Sequence, residues 1–164
     1  MKRIILVLVF ILTWSFRSLS QTTTFLDITI DGTKPEMIQK LTERGFNYDE
    51  ANMWLTGKYQ GRDVVLIIIS NDRGLVYQLD LIFNRWTDEI KAKMLFISTY
   101  YNYFKYNSSK YVDISSTMDS YEADFLELDA AGKTSENNKV KLKIIKGRKG
   151  YTVGIFFINN NNLK

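Results

Sequence analysis

Alternation of apolar and polar side chains is the feature that most limits what this 164-residue chain can fold into. From Leu75 to Asn84, Leu75, Tyr77, Leu79, Leu81 and Phe83 fall on one side, and Gln78, Asp80 and Asn84 on the other. Near the C-terminus Val140, Leu142 and Ile144 alternate with Lys139, Lys141 and Lys143. A period of two belongs to a strand with one buried face. A wet second face suits antiparallel sheets, because parallel sheets are covered on both sides. Turn residues reinforce this. Gly147-Arg148-Lys149-Gly150 returns the lysine strand into Tyr151–Ile158, and Asn71-Asp72-Arg73-Gly74 joins Asp63–Ser70 to Leu75–Asn84. Gln60-Gly61-Arg62 joins Met53–Tyr59 to Asp63–Ser70. Val64–Ile69 is apolar on both faces, which predicts a central strand covered on both sides, or one whose second face is covered by a partner.

The other segments supply helices. Thr33 and Glu36 form a capping box with Pro35 in the first turn. Met37, Ile38 and Leu41 give one apolar face, and Gly45-Phe46 ends the helix at Arg44. A second helix is predicted from Asp88 to Tyr106, roughly 28 Å long at 1.5 Å per residue. Its main stripe is Ile90, Met94, Ile97, Tyr101 and Phe104, widened by Phe96, Tyr100 and Tyr103. Tyr121, Phe125 and Leu128 at i, i+4, i+7 predict a third helix over Ser120–Ala131, stopped by Gly132. Phe25–Ile30 reads as a short strand with Leu26, Ile28 and Ile30 on one side, and Asn107–Thr117 as irregular. No βαβ alternation appears. The expected class is α+β: one antiparallel sheet of about five to six strands, with two to three helices mainly on one face. The two halves echo each other as a helix followed by antiparallel strands.

Residues 1–20 read as an address and 21–164 as a single domain. Lys2 and Arg3 precede the apolar run Ile4–Leu12, and Ser18 and Ser20 place small residues before a cut ahead of Gln21, the layout of a secretory signal peptide. The run is about half the roughly 20 residues that span a bilayer. The expected location is the periplasm or the extracellular space, with no stable membrane span after cleavage. The formal charge of +4 comes from 22 Lys and Arg against 18 Asp and Glu. Residues 1–20 carry Lys2, Arg3 and Arg17 and no acid, so the remainder is left near +1. Nucleic acid is therefore not an expected partner.

Histidine and cysteine are both absent. This removes imidazole bases, Ser-His-Asp triads, thiolate nucleophiles and disulfides, and argues against zinc sites. No catalytic, cofactor-binding or metal residue is assigned. The acidic groups Asp49-Glu50, Asp88-Glu89 and Glu122/Asp124/Glu127/Asp129 read as solvated or capping residues. They leave a carboxylate-only hydrolase, such as a small glycosidase, as an alternative. Lys139, Lys141, Lys143, Lys146, Arg148 and Lys149 read as a solvated strand face that protects an edge, with no aromatics interleaved for base stacking. Exposed Trp and Tyr are common on binding surfaces, and Trp54, Trp86, Tyr100, Tyr103 and Tyr106 are the candidate set. Trp54 falls on the face opposite Met53 and Leu55.

Phe25-Leu26-Asp27-Ile28-Thr29-Ile30-Asp31-Gly32, the helix Met37-Ile38-Gln39-Lys40-Leu41 and then Arg44-Gly45-Phe46 resemble the opening of an uncharacterised family of small secreted proteins of Gram-negative gut bacteria. That family reads F-x-G-I-x-I-D-G, a helix, then K-L-x-x-K-G-F, with Asp27 standing where it carries glycine. Tyr103-Phe104-Lys105-Tyr106 and the hairpin from Lys141-Leu142-Lys143-Ile144 to Tyr151-Thr152-Val153 are similar too. The resemblance implies a fold like that of β-lactamase-inhibitor proteins and small outer-membrane-assembly lipoproteins. Fold analogy carries no function by itself.

The residues favour a secreted or periplasmic non-enzymatic binding module for an envelope protein or a glycan. The carboxylate hydrolase is one alternative. An envelope assembly or inhibitor protein, with Val64–Ile69 buried by a partner or a second copy in a homo-oligomer, is the other.

Overall fold

A computed structural model describes residues 23–129, 131–134 and 137–163. The proposed signal segment lies outside the described residues. Strands β1 (Thr24–Phe25) and β2 (Ile28–Thr29) form a small hairpin. Helix α1 (Lys34–Glu43) follows, then β3 (Asn47–Asp49), β4 (Trp54–Tyr59), β5 (Arg62–Ser70) and β6 (Val76–Phe83). Helix α2 (Glu89–Thr99) runs on into a π-helical turn, Tyr100–Lys105. Then come β7 (Tyr111–Thr117), β8 (Glu122–Glu127), β9 (Asn138–Gly147) and β10 (Gly150–Asn159).

Strands β3 to β10 make one eight-stranded sheet in the order β3-β4-β5-β6-β10-β9-β8-β7. Every pairing is antiparallel. Each half is a helix followed by a four-stranded meander, and the halves meet where β6 pairs with β10. The class is α+β as expected, with more strands than the five to six read from sequence.

One sheet face carries the core. Leu55, Val64, Leu66, Leu79, Leu81, Phe83, Phe125, Val140, Leu142, Val153, Ile155 and Phe157 are buried there with Met37 and Leu41 of α1 and Phe96 of α2. Burying one such side chain is worth about 1.5–3 kcal/mol. The capping box forms as read: Thr33 N–H donates to Glu36 at 2.8 Å, and Glu36 N–H to Thr33 Oγ1 at 3.5 Å. Phe46 N–H donates back to the Leu41 carbonyl at 3.2 Å, and the Phe46 ring is buried.

Five local readings are corrected. Phe25–Ile30 is two short strands around a Leu26-Asp27 turn with φ of 50° and 62°, which buries Phe25 and exposes Leu26. Leu75 and Tyr77 are half-buried while Val76 is fully buried, because the ladder shifts register between Ile69 and Ser70. Ser120–Ala131 is not a helix. Tyr121, at φ 53°, turns the chain into β8, whose Glu122 and Asp124 lie opposite Lys143 and Lys141. Those cross-strand charge pairs and the burial of Ala123 and Phe125 outweigh the local helical spacing. Part of the region read as irregular is the exposed edge strand β7. Finally, the predicted stripe of α2 faces outward at Ile90, Met94, Ile97 and Tyr101, and only Phe104 of it is buried. The sheet instead receives Ala92, Phe96, Thr99 and Tyr100. Among the described residues no helix is long and apolar enough to cross a membrane.

Candidate functional site

Both described helices pack on the core face, and among the described residues no helix covers the opposite, open face of the sheet. Register sets its side chains in rows. Thr56, Val65, Ile82, Gly154, Lys143 and Glu122 lie side by side across six strands. The next row is Ile67, Asp80, Phe156, Lys141 and Asp124. A cleft of about 460 Å³ opens over the first-half end of these rows. Val65, Ile67 and Ile82 are its floor, Trp54 and Trp86 its aromatic walls, and Thr56, Asn84, Arg148 and Lys149 its polar boundary. That volume is within the range of small-ligand and anchor-residue pockets.

Each tryptophan is set by local chemistry. Trp54 heads β4 after a turn in which the Asp49 carboxylate accepts from Asn52 N–H at 3.1 Å and Asn52 Nδ2 at 2.7 Å. These bonds, the side-chain one first, hold the Asp49 carboxyl below its usual range. Trp86 lies in the β6–α2 connection, pinned by Thr87, whose N–H and carbonyl pair with Tyr151 at 2.9 Å each. Its ring rests where residue 147 has no side chain: a Cβ there would lie 2.5 Å from the ring. At Gly150, φ +124°, a Cβ would lie 2.5 Å from the Thr87 carbonyl oxygen. The two hairpin glycines therefore seat the Trp86-Thr87 segment. The tryptophans remain 36% and 37% exposed.

The structure divides the five candidate residues. Trp54 and Trp86 come together in the cleft. Tyr100 is buried in the core and donates its hydroxyl to Asp113. Tyr103 is half-buried and stacks on Tyr59 with ring centroids 5.6 Å apart. Tyr106 is 75% exposed, 6.2 Å from Tyr101 on the helical side. Val65, Ile67, Ile82, Arg148 and Lys149 were not in the candidate set. The two-faced Val64–Ile69 pattern was their signal: Val64, Leu66 and Ile68 enter the core, and Val65 and Ile67 floor the cleft.

The lysine strand also changes meaning. β9 is flanked by β8 and β10, so its lysines do not guard an edge. Lys139, Lys141 and Lys143 stand on the open face, where Lys143 lies 4.8 Å from the centroid of the Phe156 ring and Lys141 lies 3.4 Å from Asp124. An aromatic is thus interleaved where none was expected.

The acidic groups act locally. Asp88 caps α2, accepting from Lys91 N–H at 2.9 Å and pairing with Lys91 Nζ at 2.7 Å. Glu89 pairs with Lys93 at 2.7 Å. Glu127 accepts from Thr24 N–H at 2.8 Å, and Asp129 accepts from Ala131 and Lys133 N–H, both at 2.8 Å. Asp80 is a half-buried carboxylate of the open face. Burial pushes its carboxyl up, opposed by the Gln78 amide at 2.6 Å and by Lys143. Asp124, in the same row, is three strands away, about 14 Å at the usual interstrand spacing. Paired glycosidase carboxylates lie about 5–9.5 Å apart. Among the described residues no group of three acidic side chains is placed to hold a metal ion.

Compared with known proteins, the chain matches no family model, no curated protein and no solved structure.

Proposed function

We propose that this is an exported, non-enzymatic binding module whose open-face cleft takes a partner protein of the cell envelope. The observation that carries the reading is the meeting of Trp54 and Trp86 over an aliphatic floor on a sheet face that no described helix covers. Buried aromatic anchors dominate protein interfaces. A protein partner is favoured over a glycan by the floor. Val65, Ile67 and Ile82 offer no hydrogen bonds, and each sugar hydroxyl left unpaired there would cost about 1–3 kcal/mol. A carboxylate hydrolase has less support, since the Asp80–Asp124 spacing suits neither glycosidase geometry. Export rests on the layout of residues 1–20, and N-terminal sequencing of the secreted form should begin at Gln21.

The test is affinity capture from envelope extract with wild-type, Trp54→Ala and Trp86→Ala baits. A tryptophan at the centre of the contact should cost about 2 kcal/mol or more, roughly 30-fold in affinity. Partners retained equally by all three baits would refute the reading.

A further inference from the structure

Among the described residues, cations without a carboxylate partner stand at the cleft and across its rim. Arg148 and Lys149 form the tip of the β9–β10 hairpin and wall the cleft on one side. On the other side of the Asn84–Trp86 connection lie two further cavities, of about 370 and 510 Å³, and Arg62, Arg85 and Leu95 line both. The connection serves all three: Asn84 and Trp86 line the apolar cleft, and Arg85 lines the two basic ones. Arg62 is held with its guanidinium 5.8 Å from the centre of the Phe83 ring. Lys91 is already bound to Asp88 at 2.7 Å. Asp63, which lines the larger cavity, lies 3.9 Å from Lys58. Among the described residues no carboxylate lies in ion-pair distance of Arg62, Arg85, Arg148 or Lys149.

We infer that the partner presents a polypeptide segment in which one large apolar side chain is flanked on both sides by carboxylates. The inference rests on the cleft reading above and adds the chemistry of its ligand. The apolar side chain enters between Trp54 and Trp86. One acidic arm meets Arg148 and Lys149, and the other crosses the Asn84–Trp86 connection to Arg62 and Arg85. Guanidinium forks pair with carboxylates in two-point geometry, and a guanidinium held over a ring is partly pre-oriented for it. Complementary charge of this kind fixes register and speeds association.

The test uses a fluorescently tagged synthetic peptide with one phenylalanine between two glutamate-rich arms, measured by polarisation against the full chain. Three controls accompany it: lysine in place of glutamate, serine in place of phenylalanine, and an oligogalacturonate as an anionic glycan. The expected result is binding of the acidic peptide alone, weakening as salt is raised. The variants Arg62→Gln with Arg85→Gln, and Arg148→Gln with Lys149→Gln, should each weaken it by about tenfold or more. Their side chains are solvent-facing, and matched thermal melts will verify the fold. Equal binding of the lysine peptide, or affinity unchanged in both charge variants, overturns the inference. So does preferential binding of the oligogalacturonate. If the charge variants bind normally while Trp54→Ala does not, the acidic arms fail and the cleft stands. If Trp54→Ala and Trp86→Ala bind the peptide normally, the cleft itself fails.

Discussion

The two glycines of the β9–β10 hairpin separate the site from the fold. At position 147 an added methyl meets the Trp86 ring, 2.5 and 2.6 Å from two of its carbons. The obstacle is a half-exposed side chain, which can swing away. Losing about 50 Å² of apolar contact costs about 1.3 kcal/mol at 25 cal/mol per Å². Replacing glycine in a strand returns about 0.5–1 kcal/mol. Gly147→Ala should therefore change stability by less than about 1 kcal/mol while displacing Trp86 from the cleft wall. At position 150 the obstacle is backbone. The new Cβ would lie 2.5 Å from the Thr87 carbonyl oxygen, and φ is +124°. Forcing that conformation costs about 1–3 kcal/mol. Breaking the two Thr87–Tyr151 hydrogen bonds costs about 0.5–1.5 kcal/mol each. Gly150→Ala should lose about 3 kcal/mol, roughly 6–12 °C in Tm for a domain of this size. Urea unfolding gives the stabilities. Fluorine NMR of fluorotryptophan-labelled protein beginning at Gln21 gives one line each for Trp54 and Trp86, so displacement of Trp86 is read directly. An unmoved Trp86 line in Gly147→Ala, or equal stability of the two variants, would refute the reasoning.

Asp27→Gly should raise stability by about 0.5–1 kcal/mol, because Asp27 holds φ 62° in the β1–β2 turn, where glycine has no Cβ to strain; calorimetry checks it. For Asp80, burial raises the folded carboxyl above its unfolded value. Between the two values the folded state binds more proton than the unfolded one, so this group's contribution declines as pH rises through the folded pKa. Asp80→Asn keeps an acceptor for Gln78 and removes the charge. It should be at least as stable as wild type at pH 7 and equal to it at acid pH, by urea unfolding at both. A variant less stable at neutral pH would show that the ionised form is favoured.

What the sequence reveals here depends on how far apart the interacting residues lie. The α1 cap and the lysine hairpin are legible because Thr33 reads Glu36 three residues on, and Gly147 reads Gly150. β8 is not, because Glu122 and Asp124 lie opposite Lys143 and Lys141, about twenty residues later, and Asp124 pairs with Lys141, across a strand pairing that local spacing cannot show. α2 is apolar almost all round, so its sequence leaves open which face meets the sheet. Ala92 allows close approach and Phe96 fills the core, while Ile90 and Met94 remain outside at 72% and 66% exposure. For the site, Trp54 and Trp86 were both legible as candidates, but their convergence was not. It needs the β4–β5 and β5–β6 registers and the return of a hairpin sixty residues beyond Trp86.

The place of the cleft follows from the duplicated layout. Two units of helix plus four strands join through their last strands, β6 and β10, so the chain must leave β6 and travel to α2 at the junction. That connection, Asn84 to Asp88, crosses the rim from the open face to the helical face. It carries Trp86 onto one side and Arg85 toward the other. The β9–β10 turn arrives at the same rim, because β10 is the neighbour of β6, and it brings Arg148 and Lys149 with it. An apolar cleft with cations on both flanks is thus assembled by the segments that join the halves. The long helix α2 does not cover it, because the same connection that holds Trp86 through Thr87 delivers α2 to the opposite face. Loosening the Thr87–Tyr151 pairing therefore threatens the cleft and the seating of α2 together, whereas displacing the Trp86 ring touches the cleft alone.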